Sequence, residues 1–435
     1  MLLSPSLWIL LVILSLLVGY SFIQAVDLFS QASKTALAYP ELASGMNPME
    51  GIFVPTCGAY YLVETLLFPF VVIRLVGQDK QTGTQKLLLQ LPLSPLTLNS
   101  IKLAALAIAG LLLLVPGLSA LAIWHFLGGN VHYPELLALI PGHALYTLTI
   151  ACIAMFAAVI STTLATAAMI CLAATLGSWV LDFAASGGGW MAWLSQGSLT
   201  TLLRQFESGL LSSTAMSGFL SLSLLFFLSA SILLHPGRKL GSKLQSLAWL
   251  FGALVTLNWL VMQNPLYLDM TENHRHSFNP AETQALEAMQ APLKITIHLS
   301  REDGRLYDLE HSVLSKLRRV LPRLQIIYAE SPATGLFGSP ESDNYGLIEY
   351  DYQDKHDESY STSALEILPL IHALAGQKVA TNPQFSYSGH PLVASASSSQ
   401  WWFYLVLPLF FLLLAWVFQH SPASFHLSGG KSNEG

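Results

Sequence analysis

The chain has 435 residues, of which 53% are hydrophobic and 11% charged, with 20 Lys and Arg against 26 Asp and Glu and a formal net charge of −6. A soluble globular domain carries about a quarter charged residues, so this composition excludes a soluble protein. With no basic excess it implies no nucleic-acid partner. Apolar runs of the length that crosses a bilayer, about 20 residues in a helix, fall near Ser6–Ala25, Phe53–Val76, Ser100–Trp124, Glu135–Ile160, Thr162–Phe183, Ser213–Leu234, Ser246–Met262 and Trp401–Phe418. The chain reads as a polytopic α-helical membrane protein of about eight transmembrane helices, with the lipid bilayer as its first partner. The first run lacks a basic leader and a small-x-small cleavage site and reads as a retained helix. Cys57, Cys152 and Cys171 lie in or beside apolar runs, so no disulfide framework is implied.

Within the second run stands Glu64, between Tyr60-Tyr61-Leu62-Val63 and Thr65. A charge at mid-membrane costs about 2.5–3.5 kcal/mol on insertion scales. Two readings follow: a protonated carboxyl bonded to a neighbouring hydroxyl, or a residue of a substrate pathway or dimer interface. The run ends in a polar connector, Gln78-Asp79-Lys80-Gln81-Thr82-Gly83-Thr84-Gln85-Lys86, followed by Leu87-Leu88-Leu89-Gln90-Leu91-Pro92-Leu93-Ser94. A plain connector needs a few turn-forming residues. This one carries charges and a short amphipathic segment stopped by proline, as a docking element outside the lipid does. Further on, Gly187–Ser213 is neither hydrophilic nor a clean span. Trp190 and Trp193 suit an interface, and Leu199–Leu211 reads either as a re-entrant helix or as an interfacial one.

Lys80 and Lys86, flanked by Arg74 and Lys102, and the linker His235-Pro236-Gly237-Arg238-Lys239-Leu240-Gly241-Ser242-Lys243 fall on one side in an eight-span count. The connectors around 27–52 and 126–134 hold one Lys and no Arg. The positive-inside rule then puts both termini in the cytoplasm and residues 263–400 outside. That segment holds 10 of the Lys and Arg and 17 of the Asp and Glu, a net of −7. It is patterned as a small α/β domain between the last two helices. The pattern predicts a helix start at Asn279-Pro280 with Glu282, a strand over Leu293–Leu299, a helix over Leu306–Leu321 and strands over Leu324–Tyr328 and Tyr345–Tyr350. A helix over Ser363–Ala375 is closed by Gly376. Its apolar faces draw on Ile295, Ile297, Leu314, Leu317, Ile326, Tyr328, Tyr345, Leu347, Leu365 and Leu368. Ser331–Asn344 reads as a loop, and Ser395–Gln400 as a tether to the last span.

Three patterns imitate chemistry. Leu427-Ser428-Gly429-Gly430-Lys431-Ser432 imitates an ATPase signature and a phosphate loop, but Phe425 stands where the loop needs its first Gly. His125, His132 and His143, with His274 and His276, lack metal-ligand spacing and read as interfacial or capping residues. Asp351, Asp354, Asp357 and Glu358 lack the Gly and alternation of a calcium loop and read as a solvated acidic loop. The outer domain shows no nucleophile–base constellation, so the chain is not read as an enzyme.

The connector resembles the coupling segment of type-2 ABC exporter permeases, whose pattern is Glu-Arg-x-x-Gly-Thr, then leucines and Pro-x-Ser. Together with Ser4-Pro5, Pro69 to Arg74, Leu91-Pro92-Leu93-Ser94 and Phe206-Glu207-Ser208-Gly209, it is similar to the six-span permease of the gliding-motility and nitrous-oxide-reductase-maturation branch. Asp269, Thr271 and Arg275 resemble the Asp-x-Thr-x-x-x-Arg entry of the gliding-motility auxiliary protein. The resemblance implies a fusion: a permease over 1–240, a seventh helix and linker over 241–262, a shortened periplasmic auxiliary domain over 263–400, and an eighth helix with a cytoplasmic tail over 401–435. Asp79 stands where the family often has Glu. The basic elbow helix that often precedes span one is missing here or lies upstream.

By that resemblance, Asp79, Lys80, Gly83, Thr84, Lys86 and Pro92 couple the chain to a separate ABC ATP-binding subunit. That subunit holds the ATP and Mg, and this chain binds no cofactor and no metal. The region between spans five and six forms the outer gate. A second permease copy or paralogue completes the assembly in a bacterial inner membrane, with a periplasmic partner or cargo. Two functions stay open: transport, in the export direction, or transmission of ATP-driven force to a periplasmic machine.

Overall fold

The structure, a computed structural model, describes residues 5–184, 194–300, 303–329, 344–377, 379 and 387–420. Among these, eight helices are long and apolar enough to cross a membrane: Pro5–Ala38, Met49–Gln81, Pro95–Phe126, Tyr133–Ile160, Leu164–Asp182, Ser213–Leu234, Leu240–Gln263 and Ser397–His420. They are taken as spans one to eight of a polytopic helical protein. Ser4, Trp190, Trp193, most of the 331–344 loop and the 427–432 signature lie outside the described residues.

The chain divides into two compact units, Met1–Met270 with Ser388–Gly435, and Thr271–Tyr387. The first holds all eight spans, so spans seven and eight, set apart in the sequence reading, belong with the other six. Span eight packs on span one. Trp8 stacks on Phe418 at 5.8 Å and Ser15 donates to the Phe403 carbonyl at 2.9 Å. Gly19 lies where a Cβ would collide with the Phe403 side chain. Span seven has no buried residue, and its Asn258 amide donates to Ser221 of span six at 2.7 Å.

Span one runs past the expected Ala25 to Ala38 because the apolar stripe continues there. Val26, Phe29, Ser30, Ser33 and Ala36 are buried at helical spacing, while Asp27, Gln31 and Lys34 take the exposed face. Span two opens with a π-helical turn at Met49–Phe53 and is interrupted at Leu67. Pro69 has no N–H to give the Thr65 carbonyl, which accounts for that break.

The connectors fall into two groups, as eight crossings require. At one end the His390 N–H donates to the Met46 carbonyl at 3.0 Å, and the Asn130 amide lies 3.0 Å from the His390 ring. At the other, Lys102 pairs with Asp79 and Asn99 donates to Ser231 at 3.0 Å. A short antiparallel ladder joins β1 (Leu210–Ser212) to β2 (Tyr267–Asp269), an element the sequence pattern does not announce.

The second unit is built on a four-stranded sheet of order β4-β3-β5-β6. β3 (Leu293–Ile297) runs parallel to β4 (Leu324–Tyr328) and antiparallel to β5 (Ile348–Tyr352), which pairs with β6 (Lys355–Ser359). Leu293, Ile295 and Ile297 point to a core completed by Leu309, Val313, Leu314 and Leu317 from the helical stretch 304–320, and by Ile367 and Ile371 from the helix Ala364–Leu374. The helix Pro280–Glu287 starts with a capping box between Asn279 and Glu282. Several details differ from expectation, among them β5, which begins at Ile348 rather than Tyr345. The acidic loop is a hairpin, whose β6 escaped notice because an exposed edge strand needs no apolar alternation. Leu365 is 86% exposed, since Ile367, Leu368 and Ile371 set the buried face of its helix.

In this unit Asp303 is held near about 2, well below the ordinary carboxylate range, chiefly by hydrogen bonds from the Arg305 guanidinium; Tyr345 also donates to it at 2.8 Å. A depressed carboxylate adds stability above its unfolded-state value and loses it as pH falls through the folded one. Thr271–Tyr387 expressed alone is expected to unfold cooperatively. Asp303→Asn should lower its midpoint at pH 7 by about 1–4 °C, a range discounted for an exposed pair, and the difference should close near pH 2. A non-cooperative melt, or a pH-independent difference, would contradict this.

Candidate functional site

Asp79 and Lys80 lie in the last turn of span two, and both charges are tied inward. Asp79 pairs with Lys102 of span three at 2.6 Å. The Lys80 ammonium donates to the carbonyls of Val159 at 2.8 Å and Ser161 at 2.5 Å, capping the C-terminus of span four. A cation there meets the negative end of the helix dipole and two carbonyls without helical partners. Gly83 follows at φ +77° in open space, so the left-handed turn, not crowding, is what calls for glycine.

The chain then makes the short helix Thr84–Leu88, with the Thr84 and Thr82 hydroxyls 2.8 Å apart. It passes through an exposed Pro92 and enters span three at Ser94, whose side chain accepts from the Thr97 N–H. Lys86, Leu87, Leu91 and Leu93 face outward. Beside this connector lies a groove of about 670 Å³, lined by the polar Arg74, Gln78, Gln81 and Thr82 and the apolar Phe70, Ile73, Leu164, Ala165 and Ala168. The connector is thus pinned to the ends of spans two, three and four while presenting an amphipathic surface. A load on Thr84–Leu88 reaches three spans through short, charge-assisted contacts.

A second constellation is buried among the spans. Glu64, with its side chain 3% exposed, shares a 2.7 Å hydrogen bond with the Thr147 hydroxyl of span four. Its other oxygen is 3.7 Å from His143 Nδ1, and His143 Nε2 is 3.3 Å from Glu207. Tyr60 accepts the Gly117 N–H at 2.5 Å, and a Cβ at Gly117 would crowd that hydroxyl. A cavity of about 60 Å³ opens beside them, lined by Cys57, Tyr60, His143 and the apolar side chains of Phe53, Leu114 and Leu139.

Glu207 ends the helix Leu199–Glu207. Ser198 caps this helix by accepting the Thr201 N–H at 3.1 Å. Ser198 itself bonds to Asp182, and Ser178 accepts the Leu199 N–H at 2.8 Å. At its other end Phe206 lies against Gly142, where no Cβ would fit. The helix is therefore seated on spans four and five rather than lying loose at an interface. His143, grouped with the interfacial histidines in the sequence reading, is 5% exposed and belongs to this cluster. Its partners, and the buried Glu135 that accepts from Asn47 at 3.4 Å, went unread because their contacts are far apart in sequence.

The remaining candidates are separate. Asp269 lies on β2 in the membrane unit, while Thr271 and Arg275 open the second unit, where the Thr271 hydroxyl accepts the Arg275 N–H at 3.1 Å. Asp351 pairs with Lys294 of β3 at 3.1 Å and, across the β5–β6 hairpin, with His356 at 2.7 Å. His125 and His132 flank the turn between spans three and four. Among the described residues no group of His, Cys, Asp or Glu is arranged to hold a metal ion.

No protein-family model, no curated protein and no solved structure matches the chain. The geometry of the connector makes a prediction of its own. Lys80→Met should cost about 0.3–1 kcal/mol of stability in the solubilised full chain, as loss of an exposed cation from a helix C-terminus does, and Asp79→Asn about 0.5 kcal/mol, as a partly exposed pair does. Denaturant unfolding checks both, and an unchanged midpoint for Lys80→Met would contradict the capping role.

Proposed function

We propose that this chain is the transmembrane permease subunit of a bacterial ABC transporter, related to the gliding-motility and nitrous-oxide-reductase-maturation branch. A separate subunit would bind and hydrolyse ATP with Mg. The observation that carries the reading is the connector: a Gly83 turn and an outward Lys86, Leu87 and Leu91, anchored through Asp79 and Lys80 to spans three and four. The anchoring divides the work of the motif. Asp79 and Lys80 transmit, while Thr84, Lys86, Leu87 and the Pro92 turn meet the partner.

With Arg238, Lys239 and Lys243 at the same end by the count of crossings, that end is cytoplasmic and Thr271–Tyr387 periplasmic. Two such permease modules would pair with two ATPase subunits, and the helix Leu199–Glu207 would serve as part of the outer gate. A second reading, force transmission without solute movement, is favoured by the folded α/β unit inserted between spans seven and eight.

The chain isolated with its native partners should carry ATP hydrolysis. Lys86→Glu with Leu87→Asp should reduce that activity about tenfold while leaving helical content intact. An absence of ATPase activity in the wild-type complex would overturn the proposal. Solute movement in vesicles made from the complex separates transport from force transmission.

A further inference from the structure

Glu64, His143 and Glu207 come from span two, span four and the helix Leu199–Glu207, and their side chains are 3%, 6% and 17% exposed. Other ionisable groups facing this cluster are Cys57, Tyr60 and Tyr61 of span two and Tyr146 of span four; span three presents Gly117 and leucines. Arg204 and Asp182 bear on Tyr61. With both carboxylates ionised the trio carries two negative charges over a neutral imidazole, or one over an imidazolium. One proton taken up by the trio lowers its buried charge from two to one, and buried like charges resist sharing a site without it.

The hydrogen bonds locate that proton. Thr147 Oγ1 is 2.7 Å from Glu64 Oε1 and 2.8 Å from the His143 carbonyl oxygen. A hydroxyl has one hydrogen, and it cannot serve both oxygens. If Glu64 is protonated and donates to Thr147, the hydroxyl is left to donate to the His143 carbonyl, and both contacts are satisfied. Glu64 Oε2 and both ring nitrogens of His143 are buried without a well-formed hydrogen bond: Nδ1 faces Oε2 across 3.7 Å and Nε2 faces Glu207 across 3.3 Å.

We propose that Glu64, His143 and Glu207 form a proton-binding relay within the membrane unit, filled through Glu207. Glu207, the most exposed of the three, takes a proton from solvent and passes it to His143 Nε2. The resulting imidazolium gives its Nδ1 proton to Glu64 Oε2, a half-turn of the carboxyl brings that proton to face Thr147, and the relay leaves a neutral imidazole, an ionised Glu207 and a protonated Glu64. The Nε2–Glu207 separation is a long hydrogen-bond contact and the Nδ1–Glu64 separation lies beyond one, so transfer requires the imidazole to shift toward Glu64 by a few tenths of an ångström and the end of the Leu199–Glu207 helix to follow it. Proton occupancy is thereby linked to the seating of that helix on span four. The inference rests on these contacts and is independent of whether an ATPase drives the chain.

Infrared spectroscopy of the full chain in phosphatidylcholine nanodiscs, recorded in H2O and in D2O, tests this. The wild type should show the carbonyl stretch of a protonated carboxyl that shifts down in D2O and is lost in Glu64→Gln. In Glu207→Gln the band should persist, with its hydrogen–deuterium exchange at least tenfold slower. A wild type without the band, a band untouched by Glu64→Gln, or unaltered exchange in Glu207→Gln would each overturn the relay. Should Glu64→Gln fail to fold by circular dichroism, Glu64→Asp replaces it: a moved band supports the assignment and an unmoved one refutes it.

Discussion

Hydrocarbon offers no water to complete an unmet hydrogen bond, and that constraint organises the membrane unit. Most polar side chains buried between its spans find partners on another helix or on their own backbone, with the Glu64–His143 contact among the exceptions. Tyr146 and Thr65 meet at 2.6 Å, Thr149 and Ser223 at 2.9 Å, and Asn99 reaches Ser231 at 3.0 Å. Such contacts average only about 0.6 kcal/mol each in double-mutant measurements, so they do not hold the bundle together. Van der Waals packing does that, through close approaches such as Gly19 on Phe403 and Gly142 on Phe206. What the polar pairs add is register. They allow one helical setting and disfavour others, because slippage would strand a donor in lipid.

Span two shows how far that constraint reaches. Its break at Leu67 lies one turn below Glu64 and three turns above Asp79 and Lys80. The helix therefore carries the buried cluster on its upper segment and the connector's anchoring charges on its lower one. Lys80 completes the end of span four, and span four also supplies His143 and Thr147. Displacement of the connector is thus felt by the helix that holds the buried imidazole, as well as by span three. The two constellations share a pair of helices, which gives a physical path between them without any further element.

Much of this was legible in the chain. Eight spans follow from apolar length alone, and the Asn279–Glu282 capping box, the Leu293–Ile297 alternation and the Gly83 turn all act locally. What escaped was non-local or lacked a pattern. The three-residue β1–β2 ladder is too short to show a period, and β6 is polar throughout because it lies at an exposed edge. The last turns of span one look polar until the helix is wound and the stripe from Val26 to Ala36 lines up. Glu64 announced itself as a costly charge, yet its partners were hidden. His143 looked interfacial from its place near the start of span four, and Glu207 belongs to a helix whose seat depends on Asp182, Ser198 and Gly142.

The central claim is that residues 78–94 form a docking element for a cytoplasmic ATPase rather than a simple turn. A photo-crosslinking amino acid at Leu87, which is 64% exposed, tests it in intact cells, with the adduct identified by mass spectrometry. The account predicts a covalent adduct with a nucleotide-binding subunit, weakened when ATP is depleted. An adduct with lipid alone, or with a protein outside the cytoplasm, would contradict it.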